Sequence, residues 1–368
     1  MRIILLLSSL DTGGAERVAC MLADAWSSRG DQVTLMPTFS GCGECFYQVS
    51  PGVRLVYLAD FVSSRVRTFV NQLVRLRALR RFIAAERPDV IVSFLSNVNV
   101  AAVIASAGLG IPVIVCERTD PFVMPSSRLL RLACRLTYPL ANALMVQTHA
   151  VATKYASSGL ALSRVWVIPN PIPVQKLDMS QRAGVREMRR LLSVGRLAEE
   201  KQFGVLIKVF AGLARCYPTW SLRIVGEGPL RPVLQQQIVE LGLDGRVELP
   251  GRTANIGKDL AAADAFVLTS KYEGFPNALL EAMASGLPCV TFDCPSGPRE
   301  MSMDGEVALL VPLGDEQALG HALERLILDA DLRQALGSLA CASVMERFAL
   351  AMVLEQWDLL FNEVRIKS

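Results

Sequence analysis

Residues 264–292, DAFVLTSKYEGFPNALLEAMASGLPCVTF, contain two strand-like runs with a loop and a helix between them. The apolar run at 264–269 predicts the first strand, and the run at 288–292 predicts the second. The intervening helix is apolar on the face that carries Ala278 and Met283, as expected for a helix that covers a parallel sheet. The stretch therefore predicts one βαβ unit, the repeating element of doubly wound α/β domains.

The same alternation of short apolar runs and amphipathic stretches occurs in two series along the chain. In the first half, strands are predicted at 2–7, 32–36, 88–94, 112–116, 142–147 and 164–168. In the second half, they are predicted at 190–194, 221–225, 246–249, 264–269, 288–292 and 307–311. A polar stretch from Asn170 to about Arg189 separates the two series. We therefore expect an α/β protein with two doubly wound Rossmann-like domains, at 1–175 and 176–350.

The composition is that of a folded chain with two domains. Its 368 residues exceed the usual size of one domain, and the 51% apolar and 20% charged residues exclude a disordered protein. Residues 1–175 hold 17 Lys and Arg against 10 Asp and Glu, a net charge of +7, and the remainder carries −4. This asymmetry predicts an anionic partner for the first half, such as a phosphorylated ligand or an anionic membrane surface. Nucleic acid is not expected, because no stripe of Lys and Arg alternates with aromatic residues.

Cysteine usage and hydropathy together bear on cellular location. Nine cysteines are scattered along the chain, several of them in apolar runs, which fits a reducing cytoplasm. Residues 93–116 lack charge over 24 positions. Asn97, Asn99 and the stretch 108–112 divide this run into a helix, a turn and a strand rather than a membrane span. We therefore expect a cytoplasmic protein, peripheral on the inner face of the cell membrane.

Two short patterns are similar to metal-binding motifs, and neither is completed elsewhere. Cys42 and Cys45 have the spacing of zinc ligands, but no second pair or His cluster accompanies them, so a loop is expected there. Asp329 and Asp331 match an acid-X-acid pattern, but they lie between late helices, where Asp commonly caps a helix N-terminus. We therefore predict no metal and no cofactor.

The loop after the first strand, SSLDTGGAER at 8–17, has features that favour an anion. Gly13 and Gly14 allow the backbone to pass close to a ligand, and the helix that follows presents N–H groups at its N-terminus. A tight turn between strand and helix explains the same two glycines without a ligand. Both interpretations stay open at this point.

Three loops of the second half carry groups suited to a nucleoside diphosphate. Arg196 and Lys201 follow the first strand of this half and supply two cations for a diphosphate. Gly226 and Gly228 form another strand-to-helix turn, although the third glycine of a dinucleotide fingerprint is missing. The backbone before Arg252, at the end of the next strand, is suited to the edge of a nucleotide base.

The segment 270–288 contains two glutamates with seven residues between them. Glu273 lies in the loop after a strand, and Glu281 lies in the helix that follows. Gly274 and the helix start offer backbone N–H groups, while Glu281 is suited to accept hydrogen bonds from ribose hydroxyls. Because carboxylates repel phosphate but bind vicinal hydroxyls, this combination favours a sugar nucleotide.

Four motifs together resemble family 4 of the retaining GT-B glycosyltransferases. They are the two spaced glutamates, the Val-Gly-Arg-Leu stretch that runs on to Lys201, Gly-Glu-Gly-Pro at 226–229 and Gly-Gly-Ala-Glu-Arg at 13–17. Residues 294–300, CPSGPRE, are similar to a stretch of bacterial members that build lipid-linked oligosaccharides, O-antigen or capsule repeats. The resemblance covers nearly the whole chain. It implies a GT-B fold, in which two Rossmann-like domains face each other across a cleft, with residues 351–368 returning to the first domain.

The resemblance also implies roles for residues of the second domain. Arg196 and Lys201 would hold the donor diphosphate, Glu281 would bond the ribose, and Glu273 would contact hydroxyls of the donor sugar. The backbone contacts to sugar and diphosphate would come from Gly274, Phe275, Pro276 and Asn277.

In the first domain the resemblance is less complete. Gly13 and Gly14 would line the cleft from this side. Glu117 and Arg118 are expected in the site, and Arg118 stands where many members have a His that contacts the donor sugar. The sequence therefore departs from the family at this position.

A basic stretch at 65–81 contains six arginines and no acidic residue. Its apolar residues recur at helical spacing, so we expect a helix that meets anionic lipid or the diphosphate of an acceptor. The alternative is an ordinary helix that covers the sheet and presents a solvated outer face. The six arginines are Arg65, Arg67, Arg75, Arg77, Arg80 and Arg81, and a second helix repeats the pattern with Arg128, Arg131 and Arg135.

The predicted reaction is transfer of a hexose or N-acetylhexosamine from a UDP-sugar to a polyprenyl-diphosphate-linked saccharide in cell-surface glycan assembly. The resemblance implies retention of configuration without a metal. Such a mechanism needs positioning and stabilisation of the leaving diphosphate more than a side-chain base. One alternative is an epimerase or hydrolase that acts on the sugar nucleotide without an acceptor. A second alternative is a non-catalytic subunit that binds nucleotide sugar or lipid.

Overall fold

The structure is a computed structural model of the 368 residues. It describes the chain except residues 12, 40–46, 63–68, 124–125, 161, 163, 174–187, 254 and 367–368. The chain forms two compact units. The first contains Met1–Asn170 together with the chain from Val353 onward, and the second contains Pro171–Met352. The sequence predicted these divisions at 175/176 and 350/351. Cys42, Cys45 and most of the predicted linker lie outside the described residues.

The first unit contains a seven-stranded parallel sheet. Its strands are β1 (Arg2–Leu7), β2 (Gln32–Pro37), β3 (Arg54–Leu55), β4 (Val90–Phe94), β5 (Val113–Cys116), β6 (Ala143–Val146) and β7 (Val165–Val167). They pair in the order β3-β2-β1-β4-β5-β6-β7. Six of these strands were predicted, whereas β3 at the sheet edge was missed because two residues are too few to show a period.

Among the residues that the structure describes, five α-helices follow the strands of this sheet. They are α1 (Gly14–Ser28), α2 (Phe69–Glu86), α3 (Ser96–Ser106), α4 (Arg128–Thr137) and α5 (His149–Ser157). The uncharged run at 93–116 divides into the end of β4, α3 and β5, as predicted. In the described part of the chain, no helix is both long and apolar enough to cross a membrane.

The second unit repeats the same design with six parallel strands. They are β8 (Arg189–Val194), β9 (Trp220–Val225), β10 (Val247–Gly251), β11 (Ala265–Leu268), β12 (Cys289–Asp293) and β13 (Leu309–Pro312), in the order β10-β9-β8-β11-β12-β13. All six were predicted. The helices are α6 (Phe203–Cys216), α7 (Arg231–Glu240), α8 (Ile256–Ala261), α9 (Asn277–Ala284), α10 (Pro298–Met301), α11 (Glu316–Leu328) and α12 (Ala330–Arg347).

The last helix, α13 (Leu350–Ile366), leaves the second unit and joins the first. Its Trp357 lies edge-on to Trp26 of α1, with ring centroids 5.5 Å apart, and Phe361 lies 5.4 Å from the same indole. All three rings are buried. Asp358 of α13 also pairs with Arg29 at 2.5 Å. This aromatic cluster fixes the end of the chain on the first unit.

The strand order places a topological switch in each sheet. Strands β4, β5, β6 and β11 are buried at every residue, as expected where helices cover both faces of a parallel sheet. The order reverses between β1 and β4 in the first sheet and between β8 and β11 in the second. Ligands of doubly wound sheets bind beyond the carboxyl ends of such strand pairs. A site is therefore expected at the loops that follow β1 and β4 in the first sheet, or β8 and β11 in the second.

Candidate active site

The loops after β8 and β9 are tied together by backbone hydrogen bonds. The amide of Gly195 donates to Val225 O at 3.0 Å, and that of Leu197 donates to Glu227 O at 3.0 Å. The loops lie so close that a Cβ on Gly226, whose φ is 153°, would lie 1.8 Å from Gly195 O. A Cβ on Gly228 would lie 2.3 Å from Leu197 O. Loop packing therefore explains both glycines, and their contact with a donor stays a prediction.

Lys201 and Glu273, 72 residues apart in sequence, form an ion pair at the switch point of the second sheet. Lys201 Nζ donates to Glu273 Oε1 at 2.5 Å, and the side chains are 18% and 11% exposed. Ser270 Oγ donates to the same carboxylate oxygen at 2.6 Å. Because β8 and β11 are neighbours, the loops after them bring together the cation and the carboxylate that the sequence placed at a donor site.

The backbone around Lys201 is fixed from both sides. Thr269 Oγ1 donates to Lys201 O at 2.8 Å, and the Lys271 amide donates to Glu200 O at 2.7 Å. Gln202, the residue after Lys201, has a φ of 50°, which is uncommon for a residue with a side chain and turns the chain sharply into α6. These contacts fix the backbone at Lys201, and the bond to Glu273 fixes its ammonium.

The loop 273–277 leads into the N-terminus of α9. Phe275 is buried and lies edge-on to Phe348, with centroids 5.8 Å apart, so a contact from Phe275 to a donor can come only from its backbone. Pro276 precedes the helix without a side-chain cap, and α9 then presents the N–H groups of its first turn from Asn277 onward. Glu281 lies half-buried on α9, whose other face is in the core.

The family-like stretch 294–300 packs against this loop. The Glu273 amide donates to Pro295 O at 3.4 Å, and a Cβ on Gly297, which has a φ of 103°, would lie 2.6 Å from Pro276 Cδ. Burial raises the pKa of the Cys294 thiol to about 12, and the nearby Glu273 carboxylate adds to the effect. The stretch therefore supports the loop 273–277, a role that the sequence motif did not reveal.

Two predicted cations of the second unit lie on its surface. Arg196 is exposed, and among the described residues its side chain makes no hydrogen bond or ion pair. Arg252 is also exposed and follows Gly251, whose carbonyl accepts from the Gly226 amide at 2.9 Å. Glu227, held by Arg231 at 2.5 Å, lies on the same loops. The Arg231 hydrogen bond keeps the pKa of Glu227 below its ordinary value, and Arg252 contributes in the same direction.

In the first unit, Gly13 and Gly14 mark the start of α1, and a carboxylate of the protein lies beside them. A Cβ on Gly13 would lie 1.9 Å from Glu16 Oε2, so the Glu16 side chain folds back over the helix start. Burial raises the pKa of Glu16, while a hydrogen bond from its own backbone opposes the shift. The Glu16 carboxylate therefore already lies beside this turn. The predicted contact of the turn with a ligand anion stays a prediction.

Glu117 follows β5 and is buried in a network of neutral donors. Ser96 Oγ donates to both of its carboxylate oxygens at 2.9 Å, and Tyr138 Oη donates to Oε1. Asn99 Nδ2 donates to Tyr138 Oη at 3.1 Å and continues the network. Burial raises the pKa of Glu117 to about 7, although the bonds from Tyr138 and Ser96 act in the opposite direction.

Arg118, at the position where the resemblance led us to expect His, is a buried cation. Its guanidinium lies 4.2 Å from the Phe94 ring centroid and donates from Nη2 to Asn170 Oδ1. Gln147 Nε2 donates to the same amide oxygen at 2.5 Å. Burial lowers the pKa of Arg118 to about 10, and the Glu16 carboxylate opposes that shift, so the side chain stays charged at neutral pH.

The basic stretch is only partly available to a ligand. On α2, Arg75 Nη1 donates to Thr38 O at 2.7 Å, and Arg80 Nη1 donates to Ala105 O at 3.0 Å and to Ala107 O at 2.7 Å. Arg77 and Arg81 are exposed. Arg65 and Arg67 lie outside the described residues. The structure therefore gives Arg75 and Arg80 contacts within the unit, and it exposes Arg80 as well as Arg77 and Arg81.

The described residues contain no group of three or more His, Cys, Asp or Glu side chains placed to hold a metal ion. Asp329 caps α12 as predicted, since its Oδ1 accepts from the Leu332 amide at 2.8 Å.

Comparison with known families decides what these two units are. The family model described as a glycosyl transferase 4-like domain matches residues 13–171, and the model described as glycosyl transferases group 1 matches residues 188–329. Together they span more than four-fifths of the chain. The chain is a glycosyltransferase with the two domains that these models describe. The first matched region contains β2 to β7 of the first sheet, and the second contains all the strands described for the second sheet.

Two curated relatives match this glycosyltransferase over almost its full length. One is a Campylobacter jejuni α-1,4-N-acetyl-D-galactosaminyltransferase named for a diNAcBac-PP-undecaprenol substrate that bears two GalNAc residues; it is 27% identical over 99% of both chains. The other is the amylovoran biosynthesis glycosyltransferase AmsD of Erwinia amylovora, 26% identical over 98% of this chain and 99% of the relative.

Solved structures agree on the fold. Sucrose-phosphate synthase from Thermosynechococcus elongatus superposes with a TM-score of 0.86 at 18% identity over 100% of both chains. The HepE protein of Anabaena in complex with UDP superposes with a TM-score of 0.80 at 23% identity, covering 99% of this chain and 100% of HepE. The predicted GT-B class is therefore confirmed.

Proposed function

We propose that this glycosyltransferase transfers a hexose or N-acetylhexosamine from a UDP-sugar to a polyprenyl-diphosphate-linked saccharide, with retention of configuration and without a metal. The observation that carries the proposal is the Lys201–Glu273 pair at the switch point of the second sheet. It places a fixed cation beside a fixed carboxylate. Those are the two groups that a diphosphate and an adjoining sugar hydroxyl require.

The donor diphosphate would be held by Lys201, Arg196 and the N-terminus of α9. A lysine ammonium has three N–H donors, and Glu273 takes one of them, which leaves two for phosphate oxygens. The first turn of α9 adds partial positive charge. As the glycosidic bond breaks, negative charge grows on the leaving diphosphate, and these preorganised groups stabilise it more strongly than they stabilise the intact donor.

The sugar and ribose would be oriented by the two glutamates. Glu273 is held by Lys201 and Ser270, so its free lone pairs have a fixed direction toward a sugar hydroxyl. Glu281, on α9, would accept from the ribose hydroxyls. We assign no side chain as a catalytic base. In a retaining reaction of this kind the leaving phosphate itself takes the acceptor proton, and no cofactor takes part.

The acceptor assignment rests on the relatives and on charge. The Campylobacter jejuni relative is named for an undecaprenyl-diphosphate-linked substrate, and other relatives are named for amylovoran biosynthesis and lipopolysaccharide core biosynthesis. The first half of the chain carries the net positive charge, and Arg77 and Arg81 of α2 are exposed. A diphosphate-linked acceptor at an anionic membrane, on its cytoplasmic face, suits this surface.

Product analysis tests the proposal. The full chain is incubated with single UDP-sugars and a polyprenyl-diphosphate-linked saccharide, with and without EDTA. We expect release of UDP together with one added sugar whose anomeric configuration, read by NMR, is that of the donor, and no effect of EDTA. Hydrolysis or epimerisation of the donor at the same rate without acceptor would instead indicate an enzyme that uses no acceptor.

A further inference from the structure

Helix α4 presents a row of leucines to solvent. Leu129, Leu132 and Leu136 are 77%, 53% and 66% exposed, and Leu140 in the turn after the helix is 72% exposed. Their spacing of three and four residues puts them in one stripe. Single exposed leucines are ordinary on a protein surface, but four in a continuous row mark a contact surface.

A second stripe on the same helix is basic. Arg128, Arg131 and Arg135 are all exposed, and α4 contains no acidic residue. At 3.6 residues per turn the arginines lie beside the leucine stripe, while Ala133 and Thr137 face inward. The helix is well formed at its start, because Ser127 Oγ accepts from the Leu130 amide at 3.1 Å. The outer surface of α4 is therefore half apolar and half cationic.

We propose that α4 is a lipid-contact helix that lies in the interface of an anionic bilayer, with its leucines inserted among the acyl chains and its arginines at the headgroups. A row of leucines beside a row of cations, without acids, matches the two layers of an anionic membrane surface. The adjoining helix α3, which packs on α4, contributes the exposed Ile104.

This assignment rests on the proposed function in one respect: the proposed acceptor is lipid-linked, so the enzyme must work at a bilayer. It also distinguishes α4 from α2. On α2, Arg75 and Arg80 are engaged with backbone carbonyls of the unit, whereas all three arginines of α4 are exposed beside an apolar stripe. We therefore assign the contact with lipid to α4 rather than to α2.

Vesicle sedimentation of the full chain tests the apolar stripe. Wild type should bind vesicles of phosphatidylcholine and phosphatidylglycerol in equal parts, but not vesicles of phosphatidylcholine alone. The variant Leu129→Gln/Leu132→Gln/Leu136→Gln should bind about tenfold more weakly or worse, because the inserted surface is lost. The matched control is Val233→Gln/Leu328→Gln/Leu339→Gln, at positions 60%, 67% and 52% exposed in the second unit. It should bind like wild type.

The basic stripe is tested by its dependence on salt. Wild-type binding should weaken with added salt, since exposed charges are screened over about 10 Å at 0.1 M. Arg128→Gln/Arg131→Gln/Arg135→Gln should weaken binding and flatten the salt dependence. Lys208→Gln/Arg215→Gln/Arg325→Gln removes the same charge from exposed positions of the second unit and should change neither.

Three results would overturn the proposal. The first is wild type that sediments with neither vesicle at low salt. The second is loss of binding in Arg77→Gln/Arg81→Gln while the leucine variant binds normally, which would assign the contact to α2. The third is a wild type that forms a dimer and binds no vesicles, while the leucine variant is a monomer, because the stripe would then join two copies.

Sugar transfer to acceptor in detergent is measured in parallel. Transfer without vesicle binding refutes only this inference, whereas vesicle binding without transfer refutes only the proposed function.

Discussion

The charged residues that follow the carboxyl ends of the strands are arranged in opposite ways in the two units. In the second unit, Lys201 and Glu273 pair directly with each other and keep part of their surface exposed. In the first unit, Glu117 and Arg118 are neighbours in sequence, but each is buried among its own partners. Glu117 accepts from Ser96 and Tyr138, and Arg118 donates to Asn170.

We expect this difference to distinguish charges that contact a ligand from charges that stabilise a loop. An ion pair with an exposed side can exchange one partner for a phosphate or a hydroxyl without leaving a bare charge in the protein. A buried charge with fixed partners cannot do so, because loss of a partner leaves an unpaired group in a medium of low polarity. We therefore expect variants of the second-unit pair to change catalysis, and variants of the first-unit network to change stability first.

The largest effect is expected from Lys201→Ala. Removing a preorganised charge from the leaving diphosphate should lower kcat by about 100-fold or more, and the donor KM should change less. Steady-state kinetics with saturating acceptor measure this. The matched control is Lys208→Ala, which removes a lysine paired with Glu316 at 2.7 Å on the surface of the same unit. Equal kcat values for the two variants would refute the assignment of Lys201 to the diphosphate.

Glu117→Gln should remove a pH dependence of stability. The pKa of Glu117 is raised to about 7 in the folded chain, so between its ordinary value of 4.5 and 7 the unfolded chain releases a proton that the folded chain retains. Stability is full below this window and falls as pH rises through it, by roughly 3 kcal/mol in all. The variant cannot ionise and should lose less stability between the two ends of the window.

Denaturant unfolding at both ends of that window measures the Glu117 effect. Glu355→Gln, an exposed position on α13, serves as the control and should retain the wild-type profile. A Glu117→Gln profile parallel to wild type would show that the buried carboxyl does not link protonation to folding.

Glu281→Ala should weaken donor binding. Hydrogen bonds to a charged acceptor contribute about 1.5–3 kcal/mol, so the donor KM should rise roughly tenfold or more while kcat changes less. Donor titrations at fixed acceptor concentration are the measurement. Glu240→Ala, at an exposed position of α7, is the control. An unchanged donor KM in Glu281→Ala would remove this residue from the site.

The smallest effect distinguishes the arginines of α2. Arg80→Gln should lower the free energy of unfolding by about 1 kcal/mol, because Arg80 donates to Ala105 O and Ala107 O. Arg81→Gln, at the next and exposed residue of α2, should change the free energy of unfolding by less than about 0.5 kcal/mol. Thermal unfolding of the two variants side by side tests this. Equal destabilisation would show that the Arg80 contacts contribute nothing.

Periodicity in the sequence was sufficient to place twelve of the thirteen strands in the described residues. Long apolar runs bounded by turn residues carry that signal, whereas β3, with two residues, carries none. The resemblance to the glycosyltransferase family also implied that Lys201 and Glu273 contact the same donor. Their direct pairing did not follow from the sequence, because it depends on β8 lying beside β11.

The residues that sequence reasoning missed are those that act through other residues. Glu16 covers the start of α1, Tyr138 donates to Glu117, and Asn170 holds Arg118. They come from a helix start, a short turn and a loop. Glu16 lies in the Gly-Gly-Ala-Glu-Arg motif, but no role was predicted for it, and the other two belong to none of the four motifs. Gly226 and Gly228 were predicted as ligand contacts, and the structure adds a second reason for them, since they let two loops touch.

The most direct test of the account is a thermal shift of the whole protein with UDP, compared between one variant from each unit. A ligand that binds the folded state raises stability by mass action, by about 2.7 kcal/mol at a hundred times its Kd. We expect UDP to raise the Tm of wild type and of Glu117→Gln by the same amount, and to raise that of Glu281→Ala much less. A full shift in Glu281→Ala together with a lost shift in Glu117→Gln would contradict the placement of the donor in the second unit.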